Sequence, residues 1–310
     1  MKSSFSSIYI IAGPTASGKS RLALELAEHI KGEIINADSI QGYRDLRVLT
    51  ARPSEAKERR APHHGYGILS PYEMLSAGQW RQWAERQIQE IQARNKPIFV
   101  VGGTGLYLKS LTQGLLFVPA IDPAIRKAFQ LRKEIEGLQS LYDELQQKDP
   151  MSAQKVAPQD SQRIIRALEV LLATGRALHE WQAQPTASPA FNFKTILLLP
   201  DKGQLVERAN ERLSKMITEG ALEEVRELVL KGIPVTAPIF RALGAVPLYE
   251  YLQQRLSLEE AIIKTQNQTR QYIKRQYTWF RHQITANLVL DWADLQMSVA
   301  ELWQKICTTS

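Results

Sequence analysis

Cysteine is nearly missing from this chain: its 310 residues hold one, Cys307, close to the C-terminus. An intrachain disulfide and a multi-cysteine zinc site are both excluded. Cys307 is expected to pack on a final helix, and a reducing compartment suits it. Long apolar runs are lacking too. No stretch approaches the ~18 apolar residues that a membrane-spanning helix needs. Met1-Lys2-Ser3-Ser4-Phe5 begins like a secretory signal, but the apolar run from Ile8 to Ala12 stops at Gly13-Pro14 and is too short for one. A soluble, cytoplasmic protein is expected. Acid is in short supply: 32 Asp and Glu face 39 Lys and Arg, a net charge of +7. Such an excess favours a polyanionic partner without naming one.

What is present alternates between strand and helix patterns. Ile8 to Ala12, Glu33 to Ala37 and Lys96 to Val101 are short apolar runs of the kind that form buried strands. Helical spacing fills Ser20 to Ile30 and Ala77 to Ala93, and residues 44–71 mix Arg, Pro, His and Gly as a long loop does. From Pro119 to Pro189 only helical periodicity remains, with helices expected over Pro123–Glu136, Leu138–Gln147 and Ser161–Ala173. Ala183 to Ala190 has the composition of a linker. Strand character returns at Thr195–Leu199, and helices are expected over 203–218, 221–231, 240–253 and 258–282. Strands alternating with helices imply a parallel sheet covered on both faces. The domains expected are therefore 1–118 with 190–310 as the core and 119–189 as a helical insertion.

Gly13-Pro14-Thr15-Ala16-Ser17-Gly18-Lys19-Ser20 fits G-x-x-x-x-G-K-[ST] and lies between an expected strand and an expected helix. Glycines let the backbone curl so that N–H groups point inward at phosphate oxygens, aided by the positive helix N-terminus. Lys19 adds a full charge, and Ser20 can coordinate Mg²⁺ bridging two phosphates. The fold class expected is α/β, with a P-loop NTPase-like parallel sheet core covered by helices and an inserted all-helical domain. The loop calls for a diphosphate or triphosphate and does not by itself name ATP. The strand that should end in a metal-binding Asp ends instead in Val101-Gly102-Gly103-Thr104, which weighs against an ATPase and leaves a small-molecule kinase open. Asp38 closes the second strand, at the edge where open α/β sheets bind ligands. Position alone would equally make it a turn residue.

Several separated segments carry a family resemblance. They are the phosphate loop; Asn36-Ala37-Asp38-Ser39-Ile40-Gln41; Thr50-Ala51-Arg52-Pro53; Val101 to Tyr107; Gln162 to Glu169; and Thr269 to Arg281 with its Lys274-Arg275-Gln276 block. Together, from about residue 8 to 282, the sequence resembles the bacterial tRNA dimethylallyltransferase (tRNA isopentenyltransferase) family. The resemblance implies a magnesium-dependent transfer of the dimethylallyl group of dimethylallyl diphosphate to N6 of adenine 37, beside the anticodon of tRNA, with release of diphosphate. It implies Asp38 as the carboxylate that takes the N6 proton, Thr104 as a hydroxyl near the reacting centre, and Arg212 on the diphosphate, with Arg208 as second choice.

The same resemblance carries tRNA contacts onto Asp38, Ser39, Ile40, Gln41, Thr104, Arg126, Gln162, Arg163, Ile164, Ile165, Arg166, Arg241, Lys274 and Arg275. A monomer is expected. No acid falls between Glu260 and Asp291, while basic residues alternate there with Tyr272, Tyr277, Trp279 and Phe280. Phosphate contacts plus stacking on single-stranded bases would use such a pattern. Three departures stand out: Leu49 where similar proteins commonly have Gly, Arg52 where they have Lys, and Ala245 where many have Tyr. Two other readings remain in view, a prenyltransferase acting on free AMP and a kinase using the same loop.

Overall fold

The computed structural model describes residues 7–114, 118–119, 121–183 and 191–309. Chain contacts divide it into two units, Met1–Thr112 with Pro189–Ser310 and Gln113–Ser188. The junctions fall at 112/113 and 188/189, where the sequence reading set 118/119 and 189/190. The expected linker, 183–190, lies almost wholly outside the described residues.

The first unit is built on six parallel strands in the order β3-β2-β4-β1-β5-β6. They are β1 (Ser7–Ala12), β2 (Glu33–Asn36), β3 (His63–His64), β4 (Ile98–Gly102), β5 (Asn192–Leu198) and β6 (Leu288–Leu290). Register pairs Ile10 with Val100 on one side and with Thr195 on the other. The central strands are buried on both faces, which explains their unbroken Ile and Val runs. Three long sheet-covering helices are α1 (Lys19–Ile30), α3 (Ala77–Ala93) and α4 (Gly105–Gln113), with a single turn α2 (Glu55–Glu58) in the long loop. Leu22, Leu26, Ile11 and Phe99 pack on one face of the sheet, and Ile10, Val100, Trp80 and Ile88 on the other.

In the second unit, α5 (Pro123–Lys148) is interrupted at Gly137 (φ 84°, ψ 163°), which realises the two expected helices as one broken rod. Only glycine adopts that conformation cheaply. With α6 (Pro150–Ala153), α7 (Ser161–Thr174) and α8 (Leu178–Gln182) it closes a small core of Phe129, Leu141, Leu145, Ile164 and Leu168.

Back in the first unit, α9 (Lys202–Thr218), α10 (Ala221–Leu230), α11 (Ala245–Leu252) and α12 (Leu258–Gln283) follow β5, and α13 (Val299–Thr308) follows β6. The helix expected over 240–253 is shorter than its periodicity suggests. Pro238–Arg241 form a 3-10 turn, and Gly244 at φ 87° starts α11 afresh. Strands β3 and β6 were not foreseen, being two and three residues long. Cys307 is a correction: it is exposed on α13, whose packing face is Leu302 and Ile306.

Candidate active site

Three strand ends converge at one edge of the sheet. β1 runs into the phosphate loop, its neighbour β4 into Gly103-Thr104, and β2, beside β4, into Asp38-Ser39. Parallel pairing forces this, because strands running the same way end on the same side.

The phosphate loop has the geometry of an anion cradle. Ser17 N–H donates to Pro14 O (3.3 Å), Gly18 caps α1 in the left-handed region (φ 89°), and no side chain caps that helix. The first-turn N–H groups of α1 therefore have no acceptor from a capping residue. By contrast Ser76, Asp122, Asp160, Asp201, Ser257 and Ser298 close their helices with side-chain oxygens. Ser17 is fully buried, and its hydroxyl has no partner among the described residues. Lys19 Nζ donates to Pro14 O (3.2 Å). Burial lowers its pKa from an ordinary 10.5 to about 8; the charge of Asp38 opposes the shift and that of Arg212 adds to it. A second cation is held at the loop by Arg212, whose Nη2 donates to Thr15 Oγ1 at 2.6 Å. Burial lowers the Arg212 pKa, against the pull of Asp38. Ser20 stands exposed on the first turn of α1.

Asp38 is fixed by its neighbour two residues back. Asn36 accepts from Asp38 N–H (2.8 Å) through Oδ1 and donates through Nδ2 to Asp38 O (2.9 Å) and Gly65 O (3.0 Å). Asp38 Oδ1 accepts from Ile40 N–H (3.0 Å), and among the described residues no hydrogen bond ends on Oδ2. Thr104 Oγ1 accepts from Ser39 N–H (3.0 Å) and donates to Ser39 Oγ (3.3 Å), tying the β4 turn to the Asp38 turn. Burial, with the Asp38 charge second, raises the pKa of Tyr66, Tyr107 and Tyr272, so these phenols stay protonated around the carboxylate.

Two residues that sequence reasoning missed hold the parts together. Gln276 on α12 is buried; its Oε1 accepts from Thr15 N–H (2.9 Å) and its Nε2 donates to Gly103 O (2.8 Å). The other is Asn36, and an Asn two residues before an Asp at a strand end is the signal that could have found it. Gln276 stood within the Lys274-Arg275-Gln276 block but gave no sign of facing inward.

Beside the cradle lies a chamber of about 340 Å³. Thr15, Asp38, Ser39 and Arg212 line it with polar atoms, and Leu49, Leu213, Met216 and Leu243 with apolar ones. Ile40, Arg241 and Arg275 also reach it. Gln41 does not line it: its Nε2 donates to Thr50 O (3.0 Å) and Ala51 O (2.9 Å) and holds the long loop. Lys274 is exposed on α12.

The aromatics of α12 mostly pack rather than stack outward. Phe280 is fully buried, Trp279 lies against Gly105, and Tyr277 faces the Lys202 ammonium at 4.6 Å. The expected alternation of basic and stacking residues is corrected to a basic outer face on an aromatic inner one. Lys264 on that face is paired with Glu250 (2.8 Å).

The residues expected on the helical insertion lie in the second unit. Ile164 and Ile165 are a second correction. They are buried in its core and cannot touch a ligand directly, because a 3.6-residue period turns them inward between Arg163 and Arg166. Gln162 and Arg163 are exposed. Arg126 (2.8 Å) and Arg166 (3.5 Å) both pair with Glu169, whose side chain is 2% exposed. His63 and His64 are occupied structurally, with Ala61 O (2.7 Å) and Glu33 (2.7 Å).

Fold and site together define a class first: an all-parallel α/β protein with a phosphate loop opening onto an apolar chamber and a carboxylate. Residues 41–283 match the family described as IPP transferase, and residues 6–62 the one described as isopentenyl transferase. The tRNA dimethylallyltransferase of Parvibaculum lavamentivorans is 46% identical over 278 residues, 89% of this chain and 88% of that protein. That of Rhodopseudomonas palustris is 44% identical over 277 residues, 89% and 86% of the two chains. Among solved structures, the tRNA isopentenylpyrophosphate transferase of Bacillus halodurans superimposes with a TM-score of 0.70 at 30% identity, over 98% and 96% of the chains. A eukaryotic dimethylallyltransferase acting on tRNA gives 0.82 at 26% identity, over 96% and 77%. The chain belongs to the tRNA dimethylallyltransferase (IPP transferase) family.

Proposed function

We infer that this chain transfers the dimethylallyl group of dimethylallyl diphosphate to N6 of adenine 37 in tRNA, releasing diphosphate. The single observation that carries the reading is the junction of three features at one sheet edge: the anion cradle, the apolar chamber, and the free Oδ2 of Asp38. The diphosphate sits in the loop, where Lys19, Arg212 and the backbone N–H groups stabilise the charge that builds as the allylic C–O bond breaks. The five-carbon group lies along the apolar lining. Adenine, turned out of its stack, presents N6 to the allylic carbon. As the N–C bond forms, the N6 proton passes to Asp38, a general-base contribution of about 10²–10⁴-fold. Thr104 keeps Asp38 and Ser39 in register.

Among the described residues, no three His, Cys, Asp or Glu side chains gather to hold a metal. The exposed hydroxyl of Ser20 on an anion cradle fits Mg²⁺, which keeps its waters and takes most other ligands from substrate phosphates. Bound there by Ser20, Mg²⁺ would supply further neutralisation of the leaving diphosphate. Arg241, Arg275 and Lys274 supply phosphate contacts for tRNA in the first unit, and Arg126, Gln162, Arg163 and Arg166 in the second, in a protein of the cytoplasm. No described helix is long and apolar enough to cross a membrane.

The test is incubation with labelled dimethylallyl diphosphate and either tRNA or AMP, followed by mass spectrometry of the nucleosides. Label on adenosine of tRNA alone is the expected result. Label on AMP alone, or ATP turnover with no prenyl transfer, would overturn the reading.

A further inference from the structure

β6 runs parallel to the other strands, so the chain leaving Leu290 emerges at the sheet edge that carries the phosphate loop. It turns at once. Asp291 Oδ1 accepts from the N–H groups of Ala293 (2.8 Å) and Asp294 (3.1 Å), and Asp294 Oδ2 accepts from Asp291 N–H (2.9 Å). Asp294 is paired with Lys305 on α13, and Arg21 on α1 donates through Nη2 to Leu295 O (3.2 Å). Aspartates that bond the backbone two and three residues on fix a turn, and this one packs on the phosphate loop. A Cβ on Gly18 would lie 3.2 Å from Leu295 Cδ1 and 3.4 Å from a ring carbon of Trp292.

The Trp292 ring has a second neighbour. The Arg208 guanidinium lies 3.8 Å from its centroid, a cation–π contact. Arg208 stands one turn before Arg212 on α9, so the two share a helical face. α9 therefore braces the loop twice: Arg212 bonds Thr15 directly, and Arg208 reaches Gly18 through the indole. The indole Nε1 is buried and has no partner among the described residues, so packing and the guanidinium hold the ring in place. Trp292 and Ala16 pack on one small cluster, Leu205, Ala209 and Ile273. Ala16, like Gly18, is in the left-handed region (φ 64°), which is uncommon for a residue with a Cβ. The curl of the loop thus leans on support from outside it. We propose that Trp292 is a positioning residue for the donor: wedged between Gly18 and Arg208, it holds the phosphate loop in the curl that receives a diphosphate. It acts through the loop and lies beyond residue 283, where the family match ends. The inference rests on the reading above that the loop holds the diphosphate.

The experiment measures inorganic pyrophosphate affinity by calorimetry, with tRNA affinity by filter binding, the KM for dimethylallyl diphosphate and thermal melting, on the whole chain, Trp292→Leu and Trp292→Phe. Leucine fills part of the space but offers Arg208 no ring, and should weaken pyrophosphate and raise the donor KM by about tenfold to 100-fold, the scale of an ångström's misplacement. Affinity for tRNA should stay near wild type. Phenylalanine keeps a smaller ring, sheds the unpartnered N–H and should melt close to wild type, with a pyrophosphate affinity between the other two. Wild-type pyrophosphate affinity in folded Trp292→Leu overturns the proposal; should that variant not fold, wild-type affinity in Trp292→Phe does so. Equal weakening of pyrophosphate and tRNA, the mark of general loosening, also overturns it. Pyrophosphate binding is read without any transfer step, so a chain that binds pyrophosphate but transfers no prenyl group sinks the transferase reading alone. A wild type that binds no pyrophosphate removes the anion site and both readings with it.

Discussion

Replacing Gln276 by Leu tests how the site is held together. The substitution leaves a branched apolar side chain one atom shorter and removes both hydrogen bonds, to Thr15 N–H and to Gly103 O. An unpaired buried backbone group costs about 1–3 kcal/mol. Gly103 is buried and carries a full share, whereas Thr15 is half-buried and water recovers part of its loss. The sum is about 2–4 kcal/mol, which chemical denaturation should register. A functional signature should accompany it. Thr15 also receives Arg212 at its hydroxyl, so freeing its backbone loosens both the cradle and its second cation, and the KM for the allylic diphosphate should rise. Gln276→Glu keeps an acceptor for Thr15 but sets a carboxylate against Gly103 O, and should fall between wild type and leucine in donor KM. A leucine variant with wild-type stability and wild-type donor KM would refute the account of Gln276 as the tie between loop and turn.

Asp38→Ala should collapse kcat by about 10²–10⁴-fold while tRNA binding by filter assay survives; wild-type turnover would remove Asp38 from the mechanism. The lowered pKa of Lys19, about 8, means that donor binding above roughly pH 8 should take up a proton and at pH 7 should not, which calorimetry in buffers of different ionisation enthalpy reads directly. The same shift makes the unfolded chain bind more protons between the folded value near 8 and the ordinary 10.5. The burial penalty on Lys19 is therefore fully present below the lower value and is relieved, raising stability, as pH climbs through that window. Lys274→Ala with Arg275→Ala should weaken tRNA binding and flatten its dependence on salt; an unchanged slope would show that this face of α12 meets no phosphate. In the second unit, Glu169→Ala should cost little because Arg126 and Arg166 are partly exposed and can rehydrate. Removing both arginines strands a buried carboxylate and should cost about 3–5 kcal/mol, measurable by denaturation.

The sequence carried the parts whose physics is local. A glycine-rich loop between an apolar run and a helical one can only curl its amides inward, so the cradle was readable from Gly13 to Ser20. Strand-helix alternation was enough for the parallel sheet, and hence for Asp38 sharing an edge with the loop, whereas Thr104 was placed near the reacting centre by the family resemblance alone. Gly137 marked the break in α5, where the expected helices met. Local signals misled where a partner decides orientation. The aromatics of α12 were interleaved with charge in the sequence, but which side of a helix meets the core depends on what it packs against. Ile164 and Ile165 stood inside a matching motif and turned inward for the same reason, and Cys307 turned outward.

Only the tertiary structure decided how the parts are fastened. Gln276 is 261 residues from Thr15 and 173 from Gly103, and Glu224 is 175 residues or more from Arg47, Val48 and Leu49, whose N–H groups its carboxylate accepts. Hydrogen bonds of that separation leave no periodicity and no spacing rule in a single sequence. The chemistry of this protein was therefore written in short segments, whereas the shape and rigidity of its chamber came from contacts that exist only once distant segments have been packed against one another.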